Sequence, residues 1–158
     1  MAGGLQSADI SVFLDRTAVA EVANRLDLAV DTKDWTVVRQ LFAESVRLDT
    51  GWAGESNPID FSRDGIVDAL ATSNFDAKRT YHVRTNEIIE IFGDRARVMA
   101  QSYGWNQLSG HTPDVYETWG RMTYELNRVG GGWKVSSVKH EKTREAGNPA
   151  VAAAKRTA

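Results

Sequence analysis

The sequence predicts an α+β fold in which helices pack on one face of a strongly curved, mixed or antiparallel sheet and leave a pocket between them. Three observations predict it. Helical periodicity dominates the first half of the chain, interrupted by one short strand-like stretch. Four long strand-like stretches fill the second half. Glycine-containing turns separate those strands. Ligand pockets often sit in hollows of this kind.

The elements follow in order. Residues 1–8 are small and polar and are expected to be loose. Ile10, Val12, Phe13 and Leu14 form a short apolar cluster, so residues 1–14 are assigned to a flexible N-terminal segment or lid. Over residues 15–32, Val19, Val22, Ala23, Leu26 and Val30 recur at three- and four-residue steps and mark one buried stripe of a helix. Asp34 is the expected N-cap of a second helix over residues 35–43, with Val37, Val38, Leu41 and Phe42 on its buried side. Residues 45–50 read as a short strand with Val46 and Leu48 facing one way, and residues 51–60 as a loop of turn formers. Ser62 is the expected N-cap of a third helix carrying Ile66, Val67 and Leu70, and residues 74–79 are a polar connection.

Strands are expected over residues 80–92 and 95–108, joined by the two-residue turn Gly93-Asp94. A turn with Gly110 and Pro113 leads to strands over residues 115–129 and 133–142, joined by Gly130, Gly131 and Gly132. Ala96, Val98, Ala100 and Ser102 share one face of their strand, and Met99, Gln101, Tyr103 and Trp105 share the other. Residues 15–143 are read as one domain and residues 144–158 as a disordered tail.

Composition narrows the function. The chain has 158 residues, 42% hydrophobic and 25% charged, with a formal net charge of −2. That suits one soluble domain and argues against a nucleic-acid or anionic-membrane binder, which needs a basic field. There is no cysteine, so disulfides, zinc–thiolate sites and a thiol nucleophile are excluded. His82, His111 and His140 are the only histidines, and no two stand at metal-ligand spacing, so no metal is expected. No run approaches the roughly 20 apolar residues of a membrane span. Residues 1–7 lack the basic start and apolar stretch of a signal peptide, which makes the cytoplasm the expected location. Five Trp, four Tyr and five Phe can line an aromatic pocket.

Two stretches carry a resemblance: Leu26 to Phe42 (LDLAVDTKDWTVVRQLF) and Lys78 to Asn86 (KRTYHVRTN), with Gly132 to Val135 (GWKV) after them. A helix ending in Asp, a turn carrying Asp-Trp, a strand opening with Thr-X-His and a late Gly-Trp-Lys-Val resemble the SnoaL-like group of the nuclear transport factor two-like superfamily, near scytalone dehydratase. The resemblance covers about residues 15–142. It implies a cone-shaped, cystatin-like roll with three N-terminal helices enclosing the pocket. It also implies a catalytic pair, Asp31 and His82. An Asp accepting the ring N–H of a histidine fixes its tautomer and strengthens it as a base near neutral pH. Where the dehydratase has two pocket tyrosines this chain has Val30 and Thr50. Near its second pocket histidine, at residues 117–119, this chain has none.

The resulting expectation is a small-molecule lyase or isomerase that abstracts a proton beside a carbonyl of a cyclic, largely apolar substrate. No cofactor is expected, because a carbonyl is its own electron sink. Trp52, Tyr103, Trp105, Tyr116, Trp119 and Asn86 are the expected substrate-binding residues. Asn86 shares a strand face with His82, Arg84 and Ile88. Arg84 is expected to pair with Glu117 across strands, His111 to be solvated, and His140, amid Lys139, Glu141 and Lys142, to lie on an exposed strand face. Two alternatives stay open. One is a non-catalytic binding or assembly domain, with His82 neutral, bonded to backbone and beside no cavity. The other is a water-activating hydrolase of the epoxide hydrolase type, built on an Asp–Arg–Asp cluster with Arg84 or Arg121. Open strand edges favour a homodimer, and the dehydratase analogy allows a trimer.

Overall fold

The computed structural model describes residues 7–156. The order is α1 (Ser7–Asp31), α2 (Trp35–Leu41), β1 (Phe42–Trp52), β2 (Ile59–Ser62), α3 (Arg63–Ser73), β3 (Arg79–Phe92), β4 (Arg95–Gln107), β5 (Val115–Val129), β6 (Gly132–Gly147) and α4 (Pro149–Ala153). The six strands form one curved, unclosed sheet in the order β2-β1-β6-β5-β4-β3. β1 runs parallel to β6 and every other pairing is antiparallel, so the sheet is mixed. The expected class holds. Three helices do precede β3, but two strands stand among them rather than one, and a fourth helix closes the chain.

The core forms where the α1 stripe meets the sheet. Val19, Ala23, Leu26 and Val30 are buried, as their spacing requires, and pack with Val38, Val98, Tyr124, Leu126 and Val135. α1 begins at Ser7, well before residue 15, so the Ile10–Leu14 cluster forms its outer turns and stays exposed. Residues 1–6 lie outside the described residues. The capping expectations for the next helices are met: the side chain of Asp34 accepts from Val37 N, and that of Ser62 from Gly65 N. Phe42, expected at the end of a helix, is instead the buried first residue of β1. β1 then runs on through Gly51 and Trp52, and β2 occupies the end of the expected loop because Arg47 and Asp60 pair across the two strands at 2.8 Å.

α1 ends in a Schellman motif. Asp34 N donates to Ala29 O at 2.8 Å and Lys33 N to Val30 O at 3.2 Å, with Lys33 at φ 60°. A lysine in the left-handed region is uncommon, and its side chain is tethered: Nζ donates to Thr80 Oγ1 at 2.9 Å. This ending fixes Asp31 in the last helical turn, against the start of β3.

Most of the described part of the C-terminal tail, expected to be disordered, has regular structure. β6 runs to Gly147, and α4 buries Val151 completely. The fastening is Lys78, itself buried, whose Nζ donates to Ala152 O at 3.0 Å and Ala154 O at 2.6 Å. A cation on the last carbonyls of a helix satisfies orphan acceptors. Low complexity hid this segment because its partner lies more than 70 residues away. Lys78→Met is expected to loosen residues 148–156 while leaving the sheet folded. Hydrogen exchange would show at least about a tenfold loss of protection confined to that segment.

Candidate functional site

A cavity of about 400 Å³ opens between the helices and the concave face of the sheet, lined by His82, Arg84, Ser102, Asn106, Tyr116, His140 and Lys142 among others, with Ala152 of α4 in its wall. A second chamber of about 200 Å³ adjoins it and is apolar, walled by Leu26, Val30, Phe42, Leu48, Ile66 and Val138. Asp27, Thr50, His82, Met122 and His140 line both. The two imidazoles therefore stand where the polar mouth meets the apolar interior.

Asp31 and His82 are in contact. His82 Nδ1 lies 2.7 Å from Asp31 Oδ1, and the backbone N–H of His82 donates to Asp31 Oδ2 at 2.7 Å. Thr80 Oγ1 donates to Oδ1 at 2.9 Å, so the carboxylate has three partners from the first residues of β3. The Asp31 side chain is 14% exposed and that of His82 35%, so the acid is enclosed while the ring is reachable. Burial pushes the Asp31 carboxyl up, but the hydrogen bonds and charge of His82 outweigh it and hold it below its ordinary value. Burial likewise opposes charge on His82, but the hydrogen bond and charge of Asp31, helped by Asp27, raise it above its ordinary value. With Nδ1 committed to Asp31, Nε2 is the nitrogen left for a ligand. Gly104 faces His82 across the β3–β4 ladder, and a Cβ there would sit 3.1 Å from the ring Cδ2.

One turn earlier on α1 lies a second cluster. Asp27 Oδ2 accepts from Arg84 Nε at 2.5 Å and Oδ1 from Tyr124 OH at 2.6 Å. Arg84 also donates to Asn24 Oδ1 at 2.9 Å, lies 3.2 Å from Glu87, and has a side chain only 3% exposed. The expected Arg84–Glu117 pair does not form. Glu117 accepts from Tyr103 OH at 2.6 Å on the other face of the sheet. The hydroxyl of Tyr124 is pushed well above its ordinary pKa, first by burial and then by Asp27.

His140 is the site residue that sequence reading missed. It faces the cavity from β6, across a Gly120 whose added Cβ would lie 3.1 Å from its Nε2. Burial, with the charges of His82 and Lys142, lowers its pKa to about 4. The reason it was missed is a β-bulge. Leu126 pairs with Val135 and Glu125 with Ser137, so Ser136 is an extra residue and the alternation set by Trp133 and Val135 slips by one. Val138, His140 and Lys142 then point inward. A depressed histidine pKa destabilises the fold in acid: between 6.5 and about 4 the unfolded chain binds a proton that the folded chain does not. His140→Gln is therefore expected to remove a loss of about 3 kcal/mol across that interval, read as a flatter denaturation midpoint between pH 7 and 4.

The expected substrate-binding residues divide. Tyr116 and Trp52 line the cavity, Trp52 at its rim under Lys142 Nζ at 4.8 Å from the ring. Tyr103 borders it, but its ring tilts against Trp119 at 5.2 Å on the convex face. Trp105 stacks on Tyr81 at 5.9 Å on that same face, so neither Trp105 nor Trp119 reaches the cavity. Asn86 does not reach it either. A second bulge places Asn86 at φ 57°, where it donates to Gln101 at 3.2 Å. His111 is half-buried rather than solvated. Among the described residues no group of three or more His, Asp or Glu is arranged to hold a metal ion, and no helix is long and apolar enough to cross a membrane.

Comparison with known proteins agrees with the fold. No curated protein matches the chain in sequence. Among solved structures, the Kfla4162 protein from Kribbella flavida is similar at 25% identity and TM-score 0.77, over 90% of this chain and 99% of that one. A provisionally named scytalone dehydratase from Novosphingobium aromaticivorans has the same fold at 16% identity and TM-score 0.73, over 87% and 89% of the two chains. So does the hexachlorocyclohexane dehydrochlorinase LinA-type3 from Novosphingobium barchaimii, at 15% identity and TM-score 0.72, over 87% and 92%. The SnoaL-like domain model matches residues 11–139, from α1 into β6, and ends just before His140, Lys142 and α4. The chain belongs to the SnoaL-like domain family.

Proposed function

We propose that this protein is a cofactor-independent lyase or isomerase that moves a proton beside a carbonyl of a cyclic, largely apolar substrate. The observation that carries the reading is the 2.7 Å contact between Asp31 and His82 Nδ1 at the junction of a polar mouth and an apolar chamber. His82 Nε2 takes an acidic C–H proton and returns it to a departing hydroxyl or to another carbon. Asp31 touches His82 rather than the substrate. It orients the ring and stabilises the imidazolium formed in the step. The apolar chamber, of about 200 Å³, takes the ring of the substrate. Relatives of the same fold named for dehydration and dehydrochlorination, both eliminations, support this choice.

Other arrangements fit less well. A silent binding domain predicts a backbone-bonded His82 beside no cavity, whereas His82 borders about 400 Å³ of open space and meets a carboxylate. A water-activating hydrolase needs a carboxylate oxygen free for water, and both oxygens of Asp27 are taken by Arg84 and Tyr124. The test is a panel of cyclic β-hydroxy ketones and enones in D2O. Elimination or deuterium uptake at the carbon beside the carbonyl is expected with the wild type and not with His82→Gln. Turnover that survives in His82→Gln sinks the reading.

The convex face of the sheet presents two ring pairs, Tyr81 with Trp105 and Tyr103 with Trp119, Tyr81 being 48% exposed. This face is assigned to pairing with a second copy of the chain, a homodimer being the simplest closure. Light scattering of the wild type and of Trp105→Glu tests it, with a monomeric wild type as the contrary result.

A further inference from the structure

The concave floor of the sheet holds two small-residue rows side by side. In one, His82 faces Gly104. In the next, Arg84 faces Ser102, Ser102 faces Gly120, and Gly120 faces Lys142. The His140 ring lies over Gly120, since a Cβ there would stand 3.1 Å from Nε2. Ser102 and the His140 imidazole are therefore neighbours on the floor. Directly opposed Cβ positions are roughly 4.5–5.5 Å apart. One oxygen atom can accept from two donors separated by about that distance, each bond being about 2.7–3.0 Å long.

Both groups lack a partner. Ser102 Oγ is shut off from water and makes no hydrogen bond, although Ser102 lines the cavity. His140 interacts with His82 and Lys142 only through charge, and neither ring nitrogen is hydrogen-bonded among the described residues. Buried polar groups are ordinarily satisfied, so the enclosed Ser102 hydroxyl, beside an unbonded imidazole that faces the cavity, marks the place of a ligand atom. Lys142 is already engaged, with Glu145 at 3.0 Å and over the Trp52 ring.

We infer that Ser102 and His140 together form the site for the substrate's carbonyl oxygen, Ser102 donating its O–H and His140 its ring N–H, on the floor beside His82. This rests on the proton-transfer reading above. When His82 Nε2 takes the C–H proton, the bonding pair moves toward the oxygen, which becomes an enolate held by these two donors. Neither donor gives up its proton. As the carbonyl re-forms, the leaving hydroxyl departs with the proton that His82 took. At neutral pH His140 is uncharged and so carries one N–H, held low by burial and by the cations beside it. Fixed donors aimed at developing negative charge contribute strongly in an enclosed site.

The probe is 2-naphthol, a planar ring with one ionisable oxygen that stands in for the enolate, measured by fluorescence titration. The wild type is expected to bind it with the naphthol's own pKa lowered. Ser102→Ala and His140→Met should each weaken binding by about 10- to 100-fold, the range for a hydrogen bond to a charged oxygen. His140→Gln, which keeps an N–H, should retain most of the affinity. Unchanged affinity in both Ser102→Ala and His140→Met overturns the assignment, as does a wild type that binds no naphthol at millimolar concentration. In either case the proton-transfer reading stands if turnover still requires His82. Naphthol binding that depends on Ser102 and His140, joined to turnover indifferent to His82, supports the oxygen site and removes the general base.

Discussion

Asp31→Asn is expected to lower turnover by about 10²- to 10⁴-fold, the range for losing a positioned acid–base group or its orienting carboxylate. Asparagine can still accept from His82 Nδ1, so the loss comes from charge rather than from ring orientation. The pH profile separates the two. His82 is raised above 6.5 by Asp31 against the opposing effect of burial. A base must be deprotonated, so the wild-type kcat/KM should climb with pH through that raised value. In Asp31→Asn burial is opposed only by the charge of Asp27, and the climb should move to lower pH. The stability consequence has the opposite sign for each partner. The raised His82 stabilises the fold fully below 6.5 and loses that contribution as pH rises through its folded value. The lowered Asp31 contributes above 3.8 and loses its share as pH falls through its folded value. The wild type should therefore exceed Asp31→Asn in stability most between about pH 4 and 6.5, as measured by urea denaturation.

Arg84→Met is the substitution expected to cost the most stability, about 3–5 kcal/mol. It removes the cation from Asp27 in a place where Arg84 is almost wholly enclosed, and the naked carboxylate is left facing the cavity. The melting temperature should fall by about 10 °C for a domain of this size. A double variant with Asp27→Leu should recover part of the loss, because no unpaired charge remains, although Tyr124 OH then lacks its acceptor. A cost under about 1 kcal/mol for Arg84→Met would mean that water reaches Asp27 freely and the cluster is not a structural support.

What the sequence made legible follows from local rules. The α1 stripe, the Asp34 and Ser62 caps and the Gly93-Asp94 hairpin are each written in a handful of neighbouring residues, and each is present in the fold. Asp31 and His82 were legible as a pair through the resemblance of their two stretches to the SnoaL-like group. Only the Schellman ending at Lys33, held by Thr80, explains how they meet.

The rest was hidden for reasons of register and of space. Strict alternation cannot locate a bulge, and two bulges exchanged Asn86 and His140 between the faces of the sheet. The aromatic face of β4 is the one that its residue types suggest as pocket lining. A cavity needs small side chains instead, and Ser102 and Gly104 form its floor while the Tyr103 and Trp105 rings pack outside. That alternation was visible in the sequence; which face was concave was not. α4 escaped because its one strong partner, Lys78, is distant in the chain.

The account turns on whether Asp31 and His82 act as one charged pair inside the cavity. NMR titration of the His82, His111 and His140 imidazoles in the wild type and in Asp31→Asn tests that most directly. The account predicts a His82 pKa above 6.5 that drops in Asp31→Asn, with His140 at about 4 in the wild type and rising as the charge on His82 is lost. A His82 pKa that is indifferent to Asp31 would contradict it.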